Sequence, residues 1–305
     1  MTLSRRRFIA IAAGAGAALA LTGVSPARAA LRRWTGMAMG ARAEMILPAS
    51  AMSLLPRVRA EIDRLEMVFS LYRPDSALSR LNRDGTLDAP PLELVDLLAR
   101  ARAMAAVTQG AFDPTVQPLW VLHAAHLQAG TAPSADAVAA ARALVDWRAM
   151  RIEPSRIAFA RPGMAVTLNG IAQGYITDHV ADLLRDAGLG QVLVSLGETR
   201  AMGRHPDGRP WQVAPAEGVE SLPLVDAALA TSEPGASGRH LLDPVTGRPG
   251  GDLRRVTVAA PTATQADAVS TALPLVPEAR RAGVLAETGA TAAWMTGADG
   301  THWRL

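Results

Sequence analysis

Thr167-Leu168-Asn169-Gly170-Ile171-Ala172-Gln173-Gly174 is the stretch on which the reading of this chain turns. Before it, Met164-Ala165-Val166-Thr167-Leu168 reads as a short buried strand. Asn169-Gly170 has the composition of a turn, because both residues tolerate positive φ. After it, Ile171, Tyr175, Ile176, Val180, Leu183 and Leu184 recur at helical spacing. Gly188 is placed to end that helix, and Gln191 to Leu196 reads as a further strand that stops at Gly197. The expected unit is strand, glycine turn, helix, strand. A glycine turn at a helix start leaves backbone N–H groups for a phosphate. A plain Asn-Gly turn in an αβ unit accounts for the same residues.

Composition bounds what surrounds this unit. The chain has 305 residues and 49% hydrophobic content, enough for one large domain or two small ones. Ser4-Arg5-Arg6-Arg7-Phe8-Ile9 fits a twin-arginine export motif, Phe8 to Leu21 is a short apolar run, and Ala27-Arg28-Ala29 offers a small-x-small cleavage site before Ala30. An uncleaved anchor is the alternative, although the run falls short of the ~20 apolar residues a spanning helix needs. Residues 1–29 carry Arg5, Arg6, Arg7 and Arg28 and no acid, so removing their four charges from the net +3 leaves −1. That balance gives no sign of a nucleic-acid partner. Every basic residue besides His is Arg, which excludes a lysine Schiff base, and the absence of Cys excludes disulfides, thiolate nucleophiles, Cys–metal sites and lipid attachment at a cysteine.

Working outward along the chain, Arg42 to Leu47 is expected as a strand and Leu55 to Phe69 as a helix with Val58, Ile62, Leu65 and Phe69 on one face. Ser70 to Asn82 reads as a turn-rich loop around Pro74-Asp75, offering an aromatic ring and several hydroxyls. Leu92 to Thr108 is expected as a helix ended by Gly110. In Ala111-Phe112-Asp113-Pro114-Thr115-Val116-Gln117-Pro118 the two prolines are expected to hold the backbone extended and fix the direction of Asp113. Leu119 to Leu127 and Asp136 to Leu144 look helical. His123 and His126 lack the i,i+4 spacing of a helical metal pair and read as packing or surface residues. Arg200 to Val213 is expected as a hairpin turning at Pro206-Asp207-Gly208. Asp226 to Ser232 and Arg254 to Ala259 are expected strands, and Thr291 to Leu305 a closing hairpin around Gly297-Ala298-Asp299-Gly300. Between them, Asp243-Pro244 and Thr246-Gly247 make tight turns.

Several of these segments resemble one family in the same order. Asn169 to Tyr175, with Asp178 following, is similar to the Gly-Ile-Ala-Lys-Gly-Tyr segment of the ApbE family, the FAD:protein FMN transferases. Met39-Gly40 resembles that family's Met-Gly-Thr, with Ala41 where Thr is usual. Tyr72 to Asn82 resembles its Tyr-x-Pro-x-Ser-x-x-Ser-x-Leu-Asn loop, Ala111 to Val116 its Gly-x-Phe-Asp-Pro-Thr-Val, and His240 to Pro249 its His-Ile-Ile-Asp-Pro-x-Thr-Gly-x-Pro. The resemblance implies an α+β chain: one ApbE-like, T-fold-related domain over residues 30–305, after a cleaved signal peptide over 1–29. It implies FAD contacts at Met39, Tyr72, Ala111, Phe112, Asp113, Thr167, Gln173 and Leu241.

Pro261 to Ala272 opens a further helix, in which Asp267 and Thr271 lie four apart on one face. A carboxylate and a hydroxyl are hard oxygen ligands suited to Mg²⁺. The same residues also fit a capping box of Thr264 and Asp267. The resemblance favours the metal reading, with the main-chain carbonyl of Gly170 as a third ligand. It implies transfer of FMN from FAD to a Thr or Ser hydroxyl of an exported or membrane protein, with release of AMP. His240 is the candidate base and Asp267 the charged catalytic ligand. Thr167 stands where many relatives have Asp, Asn169 where they have Gly, and Gln173 where they have Lys. Together with the twin-arginine signal and the lack of cysteine, this variant resembles the NosX branch, which implies a periplasmic location, passage through the twin-arginine translocase and a NosR-like membrane acceptor. A non-catalytic FAD carrier and an FAD diphosphatase are the alternatives.

Overall fold

Strand β1 (Leu31–Ala38) returns through Met39 and Gly40, both at positive φ (48° and 72°), as β2 (Ala41–Pro48). The sequence reading expected only the second strand. β1 carries exposed arginines and a central glycine, and its inward anchor is Trp34, whose ring lies over Gly36. The computed structural model describes residues 30–214, 220–234 and 241–305. The expected signal peptide over 1–29 and the candidate base His240 lie outside the described residues.

Helix α1 (Leu55–Phe69) buries Val58, Ile62, Leu65 and Phe69, as its period requires. The expected loop over 70–82 is a loop only in its first half. Arg73 to Ser76 close the Pro74-Asp75 turn, Ser76 Oγ caps the N–H of Ser79, and the chain then winds into α2 (Ala77–Asp84) with Leu78 and Leu81 buried. A short strand β3 (Thr86–Asp88) leads to α3 (Leu92–Val107), which ends where Gln109 and Gly110 take positive φ.

The Ala111–Pro118 segment also departs from expectation. Pro114–Val116 form a 3-10 turn and Pro118 sits in the first turn of α4 (Gln117–Gln128). Proline lacks only an N–H that the first turn leaves unpaired anyway, so it is tolerated there. Next come α5 (Ala135–Arg142), β4 (Met150–Glu153) and β5 (Arg156–Phe159); the two strands join β3 in a small antiparallel sheet.

The expected strand over 164–168 does not form; this segment belongs to no ladder. Its helix does form, as α6 (Ala172–Asp186), and so does β6 (Val192–Ser195). Strand β7 (Thr199–Met202) then pairs with β6 on one side and β10 (Ala227–Ser232) on the other. Both its edges are thus taken, so the expected Arg200–Val213 hairpin cannot close. The turn at Pro206–Gly208 is present, with His205 N–H donating to the Arg209 carbonyl at 3.0 Å. The returning strand β8 (Trp211–Val213) pairs instead with β9 (Leu222–Leu224).

The chain ends with β11 (Leu253–Ala260), α7 (Ala263–Ala272), α8 (Glu278–Thr288) and the expected hairpin of β12 (Ala292–Gly297) and β13 (His302–Arg304). The main sheet has eight antiparallel strands in the order β1-β2-β6-β7-β10-β11-β12-β13. One face supplies Met45, Val194, Ala230, Val258 and Met295 to a core shared with α1, α3, α6 and α7. The other supplies Leu193, Ala201, Leu229 and Ala259, covered by Trp211, Val213 and Leu224 of the β8–β9 pair. Alternation along each strand, with period two, serves both faces at once.

Candidate functional site

Helices α6 and α7 meet backbone to backbone, and that contact builds the site. A Cβ on Gly174 would stand 2.2 Å from the Ala263 carbonyl oxygen, so only glycine lets the helices approach this closely. Two carboxylates lock the pair. Asp178 on α6 accepts from the N–H groups of Ala263 (2.9 Å) and Thr264 (2.8 Å) and from Thr264 Oγ1 (2.6 Å), and it is paired with Arg200 at 2.6 Å. It thereby serves the unpaired N–H groups of the α7 N-terminus. Asp267 on α7 returns the contact, accepting from the Gly174 N–H at 3.0 Å.

These bonds remove the capping-box reading of Thr264 and Asp267. The cap of α7 is Thr262, whose hydroxyl accepts from the Gln265 N–H at 3.2 Å. Asp267 is 4% exposed and directed across to α6. The phosphate cradle expected at the glycine turn is also altered. The N–H groups of Ile171 and Ala172 both go to the Leu168 carbonyl and that of Gly174 goes to Asp267, so three of these donors are already engaged.

A cleft of about 890 Å³, counting its opening to solvent, lies beside this helix pair. Of the residues singled out in the sequence, Ala111, Phe112, Asp113, Thr167, Gly170, Gln173, Leu241, Asp267 and Thr271 all line it. Met39 and Tyr72 are not among the lining residues. Met39 packs against the core, its N–H donating to Glu66 at 2.6 Å, and Tyr72 is 78% exposed. The lining residues that sequence reasoning missed include Trp120, Ser232, Leu242 and Leu275. Trp120 follows the Asp-Pro-Thr segment by one helical turn, and Ser232 closes an expected strand; nothing local marks either as part of a site.

The walls are held from behind. Thr167 N–H donates to the Pro114 carbonyl at 2.8 Å, joining the two loops, and Asn169 N–H donates to Thr167 Oγ1 at 3.2 Å. Asp113 accepts from Thr115 N–H (2.8 Å), Thr115 Oγ1 (2.6 Å) and Trp147 N–H (3.2 Å). Burial pushes its carboxyl above the ordinary Asp value, against the downward pull of those hydrogen bonds. On the far wall, Asp243 closes the Asp-Pro and Thr-Gly turns, accepting from Val245 N–H and Thr246 Oγ1 while its carbonyl accepts from Gly247 N–H. His123 Nε2 contacts the Gly247 carbonyl at 2.8 Å and His126 Nδ1 the Thr131 hydroxyl, which leaves both as packing groups.

Asp267, Thr271 and the Gly170 carbonyl, all lining the cleft, are the residues that could hold a cation. Asp267, Thr271 and the Gly170 backbone are oxygen donors, and Gly170 lies so close to Thr271 that a Cβ would stand 2.7 Å from its Cγ2 and 3.0 Å from its Oγ1. Among the described residues no group of three His, Cys, Asp or Glu could hold a metal. One carboxylate with neutral oxygens suits Mg²⁺, which normally completes its shell with phosphate oxygens and water.

A sequence model described as the ApbE family matches residues 39–295. The FAD:protein FMN transferase of Klebsiella pneumoniae (strain 342) is 32% identical over 266 residues, 79% of this chain and 76% of that protein. The FAD:protein FMN transferase of Escherichia coli (strain K12) is 31% identical over 245 residues, 72% and 70% of the two chains. Among solved structures, the Pseudomonas stutzeri flavinyl transferase ApbE in its apo form superposes with a TM-score of 0.79 at 30% identity, covering 90% of this chain and 95% of that one. A point mutant of flavin transferase ApbE from Vibrio cholerae gives 0.79 at 27% identity, covering 90% and 97%.

Proposed function

This chain belongs to the ApbE family, and we propose that it transfers the FMN half of FAD to a Thr or Ser hydroxyl of an acceptor protein, releasing AMP, in an Mg²⁺-dependent reaction. It is a transferase, with FAD as its substrate. The observation that carries the reading is the convergence of Asp267, Thr271 and Gly170 with the Ala111–Asp113 and Leu241 segments in one cleft.

The residues divide the work by chemistry. Phe112, Leu241 and the half-buried Trp120 offer apolar surface to a flat ring. Gln173 presents an amide that hydrogen-bonds without adding charge, and Gly197 packs against it. Asp267 and Thr271, with the Gly170 carbonyl, would hold Mg²⁺, which would supply positive charge to offset the charge that builds up on the leaving group. In the transfer, the acceptor oxygen forms a bond to the FMN-side phosphorus while the bond from that phosphorus to the AMP oxygen breaks. The hydroxyl proton passes to a base, for which His240 is the candidate by its motif.

Incubating the protein with FAD, Mg²⁺ and an acceptor domain should add one FMN to one Thr or Ser and release one AMP, read by mass spectrometry. Replacing that acceptor Thr with Val should abolish the adduct, because Val has the shape and no nucleophile. Release of AMP and free FMN at the same rate without acceptor would identify a diphosphatase instead. FAD binding with neither product would identify a carrier.

The proposal extends to place and partner. The Arg5-Arg6 motif supports export through the twin-arginine translocase to the periplasm, and the NosX-like features support a NosR-like membrane acceptor. Among the described residues no helix is long and apolar enough to cross a membrane. Replacing Arg5 and Arg6 with Lys should leave precursor in the cytoplasm; normal accumulation of a periplasmic form starting near Ala30 would overturn the export reading.

A further inference from the structure

We infer that Ser232 and Ser270 are positioning residues that turn the hydroxyl proton of Thr271 away from the cleft and leave its lone pairs for a cation. The inference rests on the reading of Asp267 and Thr271 as metal ligands. Ser232 closes β10 and Ser270 lies in α7; they are 7% and 0% exposed. Their oxygens form a chain. Ser270 Oγ donates to the Asp267 main-chain carbonyl at 3.0 Å, Ser232 Oγ stands 2.9 Å from Ser270 Oγ, and Thr271 Oγ1 stands 3.4 Å from Ser232 Oγ.

The direction of the chain follows from its end. A carbonyl has no proton to give, so the bond to Asp267 must be donated by Ser270. A hydroxyl carries one proton and two lone pairs. With its proton committed, Ser270 Oγ can only accept from Ser232, and Ser232 can then only accept from Thr271. The order is Thr271 to Ser232 to Ser270 to the Asp267 carbonyl. Thr271 Oγ1 therefore meets the cleft as an acceptor. With the opposite polarity its proton would point at the cation and repel it. The Thr271–Ser232 separation is long for a hydrogen bond between hydroxyls. Coordination of Oγ1 makes its proton more acidic, which strengthens and shortens that bond.

The test is Mn²⁺ binding to the purified full-length chain, followed by electron paramagnetic resonance, for the wild type, Ser232→Ala, Ser270→Ala, Thr271→Val and the double variant Ser232→Ala/Thr271→Val. Loss of a partner behind a metal ligand costs roughly 10-fold or more in affinity, so Ser232→Ala and Ser270→Ala should each weaken Mn²⁺ by about that factor. Because they act through Thr271, Ser232→Ala should add nothing further once Thr271 is Val. Melting of the metal-free proteins checks the fold, and the Ser270→Ala/Thr271→Val pair replaces the Ser232 cycle if Ser232→Ala does not fold. Full weakening by the serine variants in the Thr271→Val background, or wild-type affinity in both serine variants while Thr271→Val is weak, overturns the relay and leaves the metal site standing. Wild-type affinity in Thr271→Val overturns the metal placement itself.

Discussion

Asn82 grips Val166 by both of its backbone polar groups. The Val166 N–H donates to Asn82 Oδ1 at 2.7 Å, and Asn82 Nδ2 donates to the Val166 carbonyl at 2.8 Å. One side chain on α2 thus supplies the donor and acceptor that a neighbouring strand would have supplied. Thr167, Asn169 and Gly170, all lining the cleft, follow directly from the clamped residue.

Removing the clamp leaves both backbone groups of Val166 without partners. At a net ~0.5–1.5 kcal/mol per hydrogen bond, Asn82→Ala should cost about 1–3 kcal/mol. Urea unfolding should show a lower midpoint with an unchanged slope. The KM for FAD should rise as well, since the segment that lines the cleft loses its anchor. A stability loss with unchanged KM would show that the clamp serves the fold alone.

Gly170 and Gly174 are four residues apart and should respond differently to alanine. At Gly174 the new Cβ meets the Ala263 backbone at 2.2 Å, so α7 must move. Gly174→Ala should cost about 3 kcal/mol or more, read as a lower melting temperature. At Gly170 the nearest atoms belong to the Thr271 side chain, at 2.7 and 3.0 Å. Gly170→Ala should melt between the wild type and Gly174→Ala, because a branched side chain rather than backbone must shift, and should need more Mg²⁺ for half-maximal activity. Equal melting temperatures for the two variants would contradict the helix contact.

Asp267→Asn tests the charge at the proposed metal site. An amide oxygen can still accept from the Gly174 N–H, so the helix pair survives. The carboxylate charge is lost, and with it the contribution of a bound cation, which is worth several kcal/mol. FMN transfer should fall at least ~100-fold with circular dichroism unchanged. Transfer at the normal rate would remove Asp267 from the site chemistry.

Asp113 gives the chain a pH signature. Its carboxyl titrates higher in the folded protein than in the unfolded chain, because burial disfavours its charge. The folded state therefore binds more protons over the interval between the two values. Stability from this group is present below the unfolded value and is lost as pH rises through the folded one. The melting temperature of the wild type minus that of Asp113→Asn should accordingly fall as pH rises across that interval. A difference that grows with pH would show that the hydrogen bonds from Thr115 and Trp147 outweigh burial.

Periodicity and turn chemistry determined much of the fold. α1, α3, α6 and the closing hairpin stand where apolar spacing and glycines put them, because those signals act within a few residues. The resemblance to the ApbE motifs, rather than local periodicity, pointed to Asp113, Gly170, Gln173, Asp267 and Thr271, and all five line the cleft. Tertiary structure decided what depends on partners distant in the chain. The 164–168 segment looks like a strand by composition, yet an asparagine 84 residues earlier takes its hydrogen bonds. β7 looks like half of a hairpin, yet β6 and β10 occupy both its edges. Asp267 fits a cap by spacing, yet Thr262 caps the helix and Asp267 serves Gly174. Trp120 and Ser232 enter the site only because the α6–α7 contact, the C-terminal end of β10 and the first turn of α4 converge on one cleft. Most of these outcomes depend on partners distant in the chain, such as Asn82 for Val166 and Asp267 for Gly174, which the local pattern does not name.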